Sequence, residues 1–149
     1  MSQKEKLVVE AILNGTVVDH IPAERTLQLV GLLTSDEDCY FLGVNLQSTS
    51  VGKKGIVKIQ DKILGERELQ ILAALAPKAT VNVIENYRII EKKVLTVPEE
   101  VINLFICPNS RCVSNHEDVG TRFVLGASEH RCGYCERSFP VSRLKSRQS

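Results

Sequence analysis

The sequence predicts an α+β protein: an antiparallel sheet with two helices on one face, followed by a much smaller antiparallel β domain. Three observations lead there. Strand-like runs rich in Val, Ile and Leu recur along residues 7–95, and two segments between them repeat their apolar residues at helical spacing instead. A polar joint at Thr96, Pro98, Glu99 and Glu100 then interrupts the pattern. Beyond it remain about 50 residues, too few for a core to outweigh chain entropy unaided. They hold four of the chain's five cysteines.

The elements follow in order. Residues 7–12 read as a strand, turned at Asn14 and Gly15 into a second strand, Thr16 to Asp19, so that the two form a hairpin. Pro22 and Glu24 suit the first turn of a helix, and Ala23, Leu27, Leu29, Val30 and Leu33 recur at helical spacing until the polar stretch Ser35 to Asp38. Strands are expected at Cys39 to Leu46 and Lys54 to Gln60, joined by the polar connection Gln47 to Gly52. In Glu66 to Ala76 the residues Leu69, Leu72, Ala73 and Ala76 make one stripe, and Pro77 stops that helix because proline cannot extend the hydrogen-bond ladder. Thr80 to Glu85 and Tyr87 to Leu95 read as the closing strands. Hairpin, helix, two strands, helix, two strands is the order of a ferredoxin-like layer of helices on a sheet. The joint divides the chain into an expected domain at 1–97 and another at 98–149.

Composition narrows the function. With 43% hydrophobic and 25% charged residues among 149, the chain is neither disordered nor fibrous. It has no run of about 18 apolar residues to span a bilayer, and its start, MSQKEKLVVE, lacks the apolar stretch of a secretory signal, so a cytoplasmic address without membrane attachment is expected. Net charge is +1, with the surplus at the C-terminal end, where Arg131, Arg137, Arg143, Lys145 and Arg147 stand against Glu136. Such a bias suits a phosphate backbone, an acidic partner surface or plain solvation. No Walker loop, Gly-x-Gly-x-x-Gly, Gly-x-Ser-x-Gly elbow or catalytic carboxylate pair is present, so no catalytic residue is assigned.

In a reducing compartment clustered thiols point to metal rather than disulfides. Cys107 and Cys112 lie in CPNSRC, and Cys132 and Cys135 in CGYC. Each pair sits on a tight loop rich in Pro, Asn, Ser or Gly, and two such loops together can complete a tetrahedron of sulfur around one zinc ion. Four thiolates leave no position open for water or substrate, which makes the ion structural and the C-terminal unit a zinc-bound β domain. A redox role for Cys132 and Cys135 lacks the βαβ surroundings it needs. His116 and His130 are expected at the surface, and the isolated Cys39 as a buried small hydrophobe.

A second candidate site comes from strand alternation. In KGIVKI, Gly55, Val57 and Ile59 share one face and Lys54, Ile56 and Lys58 the other, an apolar side chain between two ammonium groups. That face can hold a nucleotide, as it can simply be solvated. Asp19 could bind ribose hydroxyls, and His20, just before a helix, a phosphate. Lys92 and Lys93 add charge after Tyr87.

These residues, together with VEAILNGTVVDHIPA from Val9, KKGIVKIQD from Lys53, APKATVNVIENY from Ala76, ICPNSRCVSN from Ile106 and CGYCE from Cys132, resemble in sequence and order the regulatory chain of aspartate carbamoyltransferase, an enzyme of early pyrimidine synthesis. The resemblance departs at Leu13 and Asn14 and fades from Val113 to Glu129. It implies a non-catalytic subunit that binds ATP, CTP and UTP in its N-terminal domain. It also implies association of the chain with itself as a homodimer and with catalytic trimers, which dock on its zinc domain. Carried onto this sequence, Val9, Glu10, Ala11, Ile12 and Val17 would lie at the base, and Asp19 and Lys58 at the ribose or base edge. His20, Lys54 and Lys92 would serve the triphosphate, while Thr80, Asn82, Ile84, Tyr87 and Ile89 would close the pocket around Ile56. The alternative is a zinc-ribbon protein that binds nucleic acid. Near-neutral charge and 5% aromatic residues weigh against it, so no nucleic-acid partner is expected.

Overall fold

A computed structural model describes residues 11–48 and 52–147. Its first sheet is built from β1 (Gly15–Pro22), β2 (Tyr40–Ser48), β3 (Gly52–Gln60), β4 (Thr80–Glu85) and β5 (Arg88–Lys93), with α1 (Thr26–Leu33) and α2 (Glu66–Leu75) between them. Spatial order is β2-β3-β1-β4-β5 and every pairing is antiparallel. This is the expected helix-and-sheet architecture. The hairpin expected at its start is corrected: β1 has β3 on one side and β4 on the other, so neither edge is left for residues 7–12. Residues 7–10 lie outside those described.

Alternation sorts each strand into two faces. Val18 and Ile21 of β1, Val57 and Ile59 of β3, and Val81 and Val83 of β4 are buried on the helix side with Leu29, Val30 and Leu33 of α1. Gly55 has no Cβ because the Thr26 side chain, itself fully buried, occupies that space as α1 crosses β3. The first turn after Pro22 is a 3-10 turn, Ala23–Arg25, and becomes α-helix only at Thr26, whose hydroxyl donates to the Pro22 carbonyl at 3.1 Å.

The second unit has a sheet in the order β10-β9-β8-β6, from β6 (Glu100–Ile102), β8 (Arg122–Leu125), β9 (Glu129–Cys132) and β10 (Ser138–Pro140). A short ladder joins β7 (Phe105–Ile106) to β11 (Lys145–Ser146). Phe105 and Phe123 pack edge to face with centroids 6.0 Å apart, a core in miniature.

The sequence stripe on α2 understates its burial. Ile71, Leu72, Ala73, Ala74, Leu75 and Ala76 are all buried, because one side of the helix meets the sheet and the other meets the second unit. The final carbonyls of a helix lack intrahelical partners. Here the Ala76 N–H reaches Leu72 O at 2.6 Å, Arg25 donates to Leu75 O at 2.6 Å, and His130 Nε2 meets Ala74 O at 2.8 Å. The polar joint is therefore flanked by a well-made contact. Gln28 of α1 donates to Val141 O and Leu144 O at 2.9 and 3.0 Å. Arg67 of α2 reaches Asn103 O, Ser146 Oγ and Arg147 O.

His130 is thus not at the surface but 2% exposed, bridging Ala74 O and the Gly126 N–H, which donates to its Nδ1 at 3.1 Å. His130→Leu preserves bulk yet strands a buried carbonyl, and a loss of about 1–3 kcal/mol is expected in denaturant melts, with zinc content unchanged. Unaltered stability would mean that the carbonyl finds another donor.

Candidate metal centre and nucleotide face

The two cysteine loops converge. Cys107 follows β7, Cys112 follows the PNSR turn, Cys132 ends β9, and Cys135 closes the next turn, with all four sulfurs within 4.8 Å of one another. Cys107 to Cys135 and Cys112 to Cys132 are each 3.7 Å. A tetrahedron with sulfur about 2.3 Å from its centre has an edge of about 3.8 Å, which those two separations match. Of the four residues Cys135 alone is partly exposed. His116, exposed and bonded to Ser110 O at 2.7 Å, and His130 are both outside the cluster.

Neighbouring groups prepare the loops. The Cys112 N–H donates to Asn109 O at 3.0 Å, and Asn115 ties the same turn by donating to Cys107 O and Asn109 O at 3.0 and 2.7 Å. The Ser114 hydroxyl lies 3.1 Å from the Cys112 sulfur, and the Tyr134 N–H donates to the Cys132 sulfur at 3.4 Å. Burial raises the Cys107 and Cys132 thiols above their ordinary range. Burial also opposes ionisation at Cys112, but hydrogen bonds from Ser114 outweigh it and bring that thiol to about 7. Cys112 is consequently readier than Cys107 or Cys132 to ionise and meet a cation. Ser114 and Asn115 escaped the sequence reading, because support of this kind carries no spacing signature. Cys39 is exposed rather than buried: it precedes β2 at the sheet's edge, with its sulfur 3.7 Å from Gln60 Oε1.

The open face of the first sheet, away from the helices, gathers most of the other candidates. Phe41 stands opposite Lys58, Lys58 opposite Val17, Val17 opposite Asn82 and Asn82 opposite Lys92, a single row across five strands. Asp19 stands opposite Thr80, and its carboxylate meets Lys54 Nζ at 2.9 Å. A bulge between Val18 and Ile21 throws His20 to φ 61°, an uncommon conformation for a residue with a side chain, and puts its Nδ1 3.2 Å from Thr80 Oγ1. Burial lowers the Lys58 pKa, while the Asp19 carboxylate works the other way.

A cavity of about 470 Å³ opens at the Thr80 end, lined by Asp19, His20, Thr80, Asn82 and Lys92, with Lys93 and an apolar margin from Ala79 to Leu95. The far end of β4 carries Ile84, followed by Glu85 opposite Arg88. There the β4–β5 turn, with Asn86 and Tyr87 at φ 53° and 65°, is held by the Tyr87 N–H to Leu13 O at 2.9 Å. Ile84 pairs with Ile89, Ile12 is buried, and Ala11 and Tyr87 are exposed. Ile56 pairs with Gly43 on the open face of β3. Val9 and Glu10 lie outside the described residues.

Comparison with known proteins agrees over both units. Residues 7–96 match the family model described as aspartate carbamoyltransferase regulatory chain, allosteric domain, and residues 99–144 that of the same chain's metal binding domain. A protein named aspartate carbamoyltransferase regulatory chain from Baumannia cicadellinicola is 46% identical, covering 98% of this chain and 97% of its own length. Namesakes from Porphyromonas gingivalis and Aeromonas hydrophila are 40% and 41% identical, over 96% and 99% of this chain and 98% and 99% of theirs.

Proposed function

The chain belongs to the family of aspartate carbamoyltransferase regulatory chains, non-catalytic subunits of an enzyme of pyrimidine biosynthesis, and we propose that it is the part through which ATP, CTP and UTP set that enzyme's activity. The observation that carries this reading is the row Lys58–Val17–Asn82–Lys92 leading to the cavity beside His20. Along β4 the open face runs from Ile84 at one end to His20 and Lys92 beside the cavity at the other. A six-residue strand is about 20 Å long, room for a base at Ile12, Ile84, Tyr87 and Ile89 and a triphosphate at His20, Lys54 and Lys92. Main-chain groups of residues 9–12 read the base edge, Asp19 and Lys58 the ribose or base, with Val17, Ile56, Thr80 and Asn82 as walls. One site serves ATP and CTP, which therefore compete.

The remaining assignments follow from the same reading. Residues 1–97 are the allosteric domain and 98–149 the zinc domain that docks on catalytic trimers, a division supported by the family spans ending at 96 and beginning at 99. Two copies associate as a dimer that bridges trimers. Support comes from β5, an edge of the sheet among the described residues, with Ile90 56% exposed. The chain works in the cytoplasm, where reducing conditions preserve four thiols for zinc. Among the described residues no helix is long and apolar enough to cross a membrane.

Binding on the open face can influence the docked enzyme only by favouring one arrangement of subunits over another, a coupling of about 1–3 kcal/mol in typical cases. Both helices provide a route. α1 begins six residues after His20 and ties to Val141 and Leu144 through Gln28, while α2 ends five residues before Thr80 and ties to His130 through Ala74. The test is reconstitution. Mixed with catalytic trimers, the zinc-loaded chain is expected to form a larger complex whose aspartate saturation curve moves with ATP and CTP; a complex indifferent to nucleotides would overturn the reading.

A further inference from the structure

Lys93 is a cation of the nucleotide cavity that the assignments above leave without a role. It ends β5 directly after Lys92. Successive residues on a strand project to opposite faces, and the register agrees: Lys92 stands opposite Asn82 on the open face, Lys93 opposite the buried Val81 on the helix side. Both nonetheless line one cavity.

They can do so because the cavity lies where the sheet stops. β4 begins at Thr80, β5 ends at Lys93, and β1 is broken by the bulge at His20. With no further strand to separate the faces, the space runs from the open face past the strand ends to Ala79, Val94 and Leu95. A ligand whose base and sugar rest on the open face reaches Lys93 only with a chain that turns this corner. Asp19 is the single acid among the described lining residues, and Lys54 already engages its carboxylate at 2.9 Å. The corner therefore favours anions.

We propose that Lys93 reads the length of the phosphate chain, holding the terminal phosphate of a nucleoside triphosphate after the chain has rounded the end of the sheet. A diphosphate reaches it poorly and a monophosphate not at all. The specificity rests on the effector reading above, and adds to it a residue that discriminates triphosphates from their shorter relatives. Lysine suits the task as a compact charge on a flexible stem, able to follow a mobile terminal group.

The test compares CTP, CDP and CMP by calorimetry on the full zinc-loaded chain at one ionic strength, for the native protein, Lys93→Met and Lys93→Arg. Methionine keeps the length of the stem and removes the charge. Expected are an affinity for CTP about tenfold weaker in Lys93→Met, an unchanged affinity for CMP, and recovery of most of the difference in Lys93→Arg. Equal weakening of CTP and CMP would reduce Lys93 to a general contributor of charge and overturn the proposal, as would an unchanged CTP affinity. Should the native chain bind none of the three, the effector reading itself falls and the discrimination falls with it.

Discussion

Replacing Cys112 by Ser is expected to abolish zinc retention and, with it, assembly with the catalytic chains, while the first domain keeps its fold. Serine cannot supply the thiolate, and three sulfurs remain around a centre whose spacing fits four. Structural zinc stabilises small modules by on the order of 10–16 kcal/mol, more than so short a segment can supply through its own core. Metal analysis and sedimentation would show the loss; far-UV circular dichroism of the N-terminal sheet and helices would persist. Native-like assembly in a metal-free variant would contradict the structural role. Acid should mimic the substitution, since protons compete with zinc for every thiolate. Holo protein loses metal as pH falls, and the burial that raises Cys107 and Cys132 assists the proton.

Lys58→Ala should produce the second large effect, a weakening of ATP and CTP binding by about ten- to a hundredfold with little change in thermal stability. Lys58 sits mid-row between Val17 and Phe41, partly desolvated, where a charge acts more strongly than at a free surface. Burial lowers its pKa, so the ammonium is lost at a lower pH than that of an ordinary lysine. Native affinity should consequently fall as pH rises into the alkaline range, and this part of the fall should vanish in Lys58→Ala. Isothermal titration across pH decides it. Equal affinities for variant and native protein would remove Lys58 from the site.

How much of this the sequence discloses depends on the distance over which each feature is decided. Both helices announce themselves locally, through Pro22 and Pro77 at their ends and apolar spacing between them, and the alternation of Lys54 to Ile59 reads correctly because it is internal to one strand. The hairpin expected at residues 7–19 fails for the opposite reason. A turn signal at Asn14 and Gly15 speaks for local pairing, but both edges of β1 go to strands some 40 and 65 residues away. His130 and Cys39 are misjudged for want of their surroundings: one is buried by a helix carbonyl 56 residues distant, the other left exposed at the margin of an edge strand.

The zinc centre is legible because two short spacings carry nearly the whole arrangement. The proposed nucleotide face is less so. Lys54, Ile56 and Lys58 are visible in one strand, but Val17, Asn82 and Lys92 join them only through register, which no local pattern states. Val17 and Asn82 enter only through family resemblance, and Lys92 is readable beforehand only as added charge. The same limit hid the corner at Lys93, where a charge on the supposedly wrong face shares the cavity because the sheet ends there.

The most direct test of the effector reading is calorimetric titration of ATP and CTP, singly and then one in the presence of the other, into the full zinc-loaded chain, with an oligonucleotide as control. A single site on the open face requires saturation near one nucleotide per chain and the disappearance of ATP heat once CTP fills the site. Simultaneous binding of both nucleotides, or tight binding of the oligonucleotide with none of either mononucleotide, would contradict it.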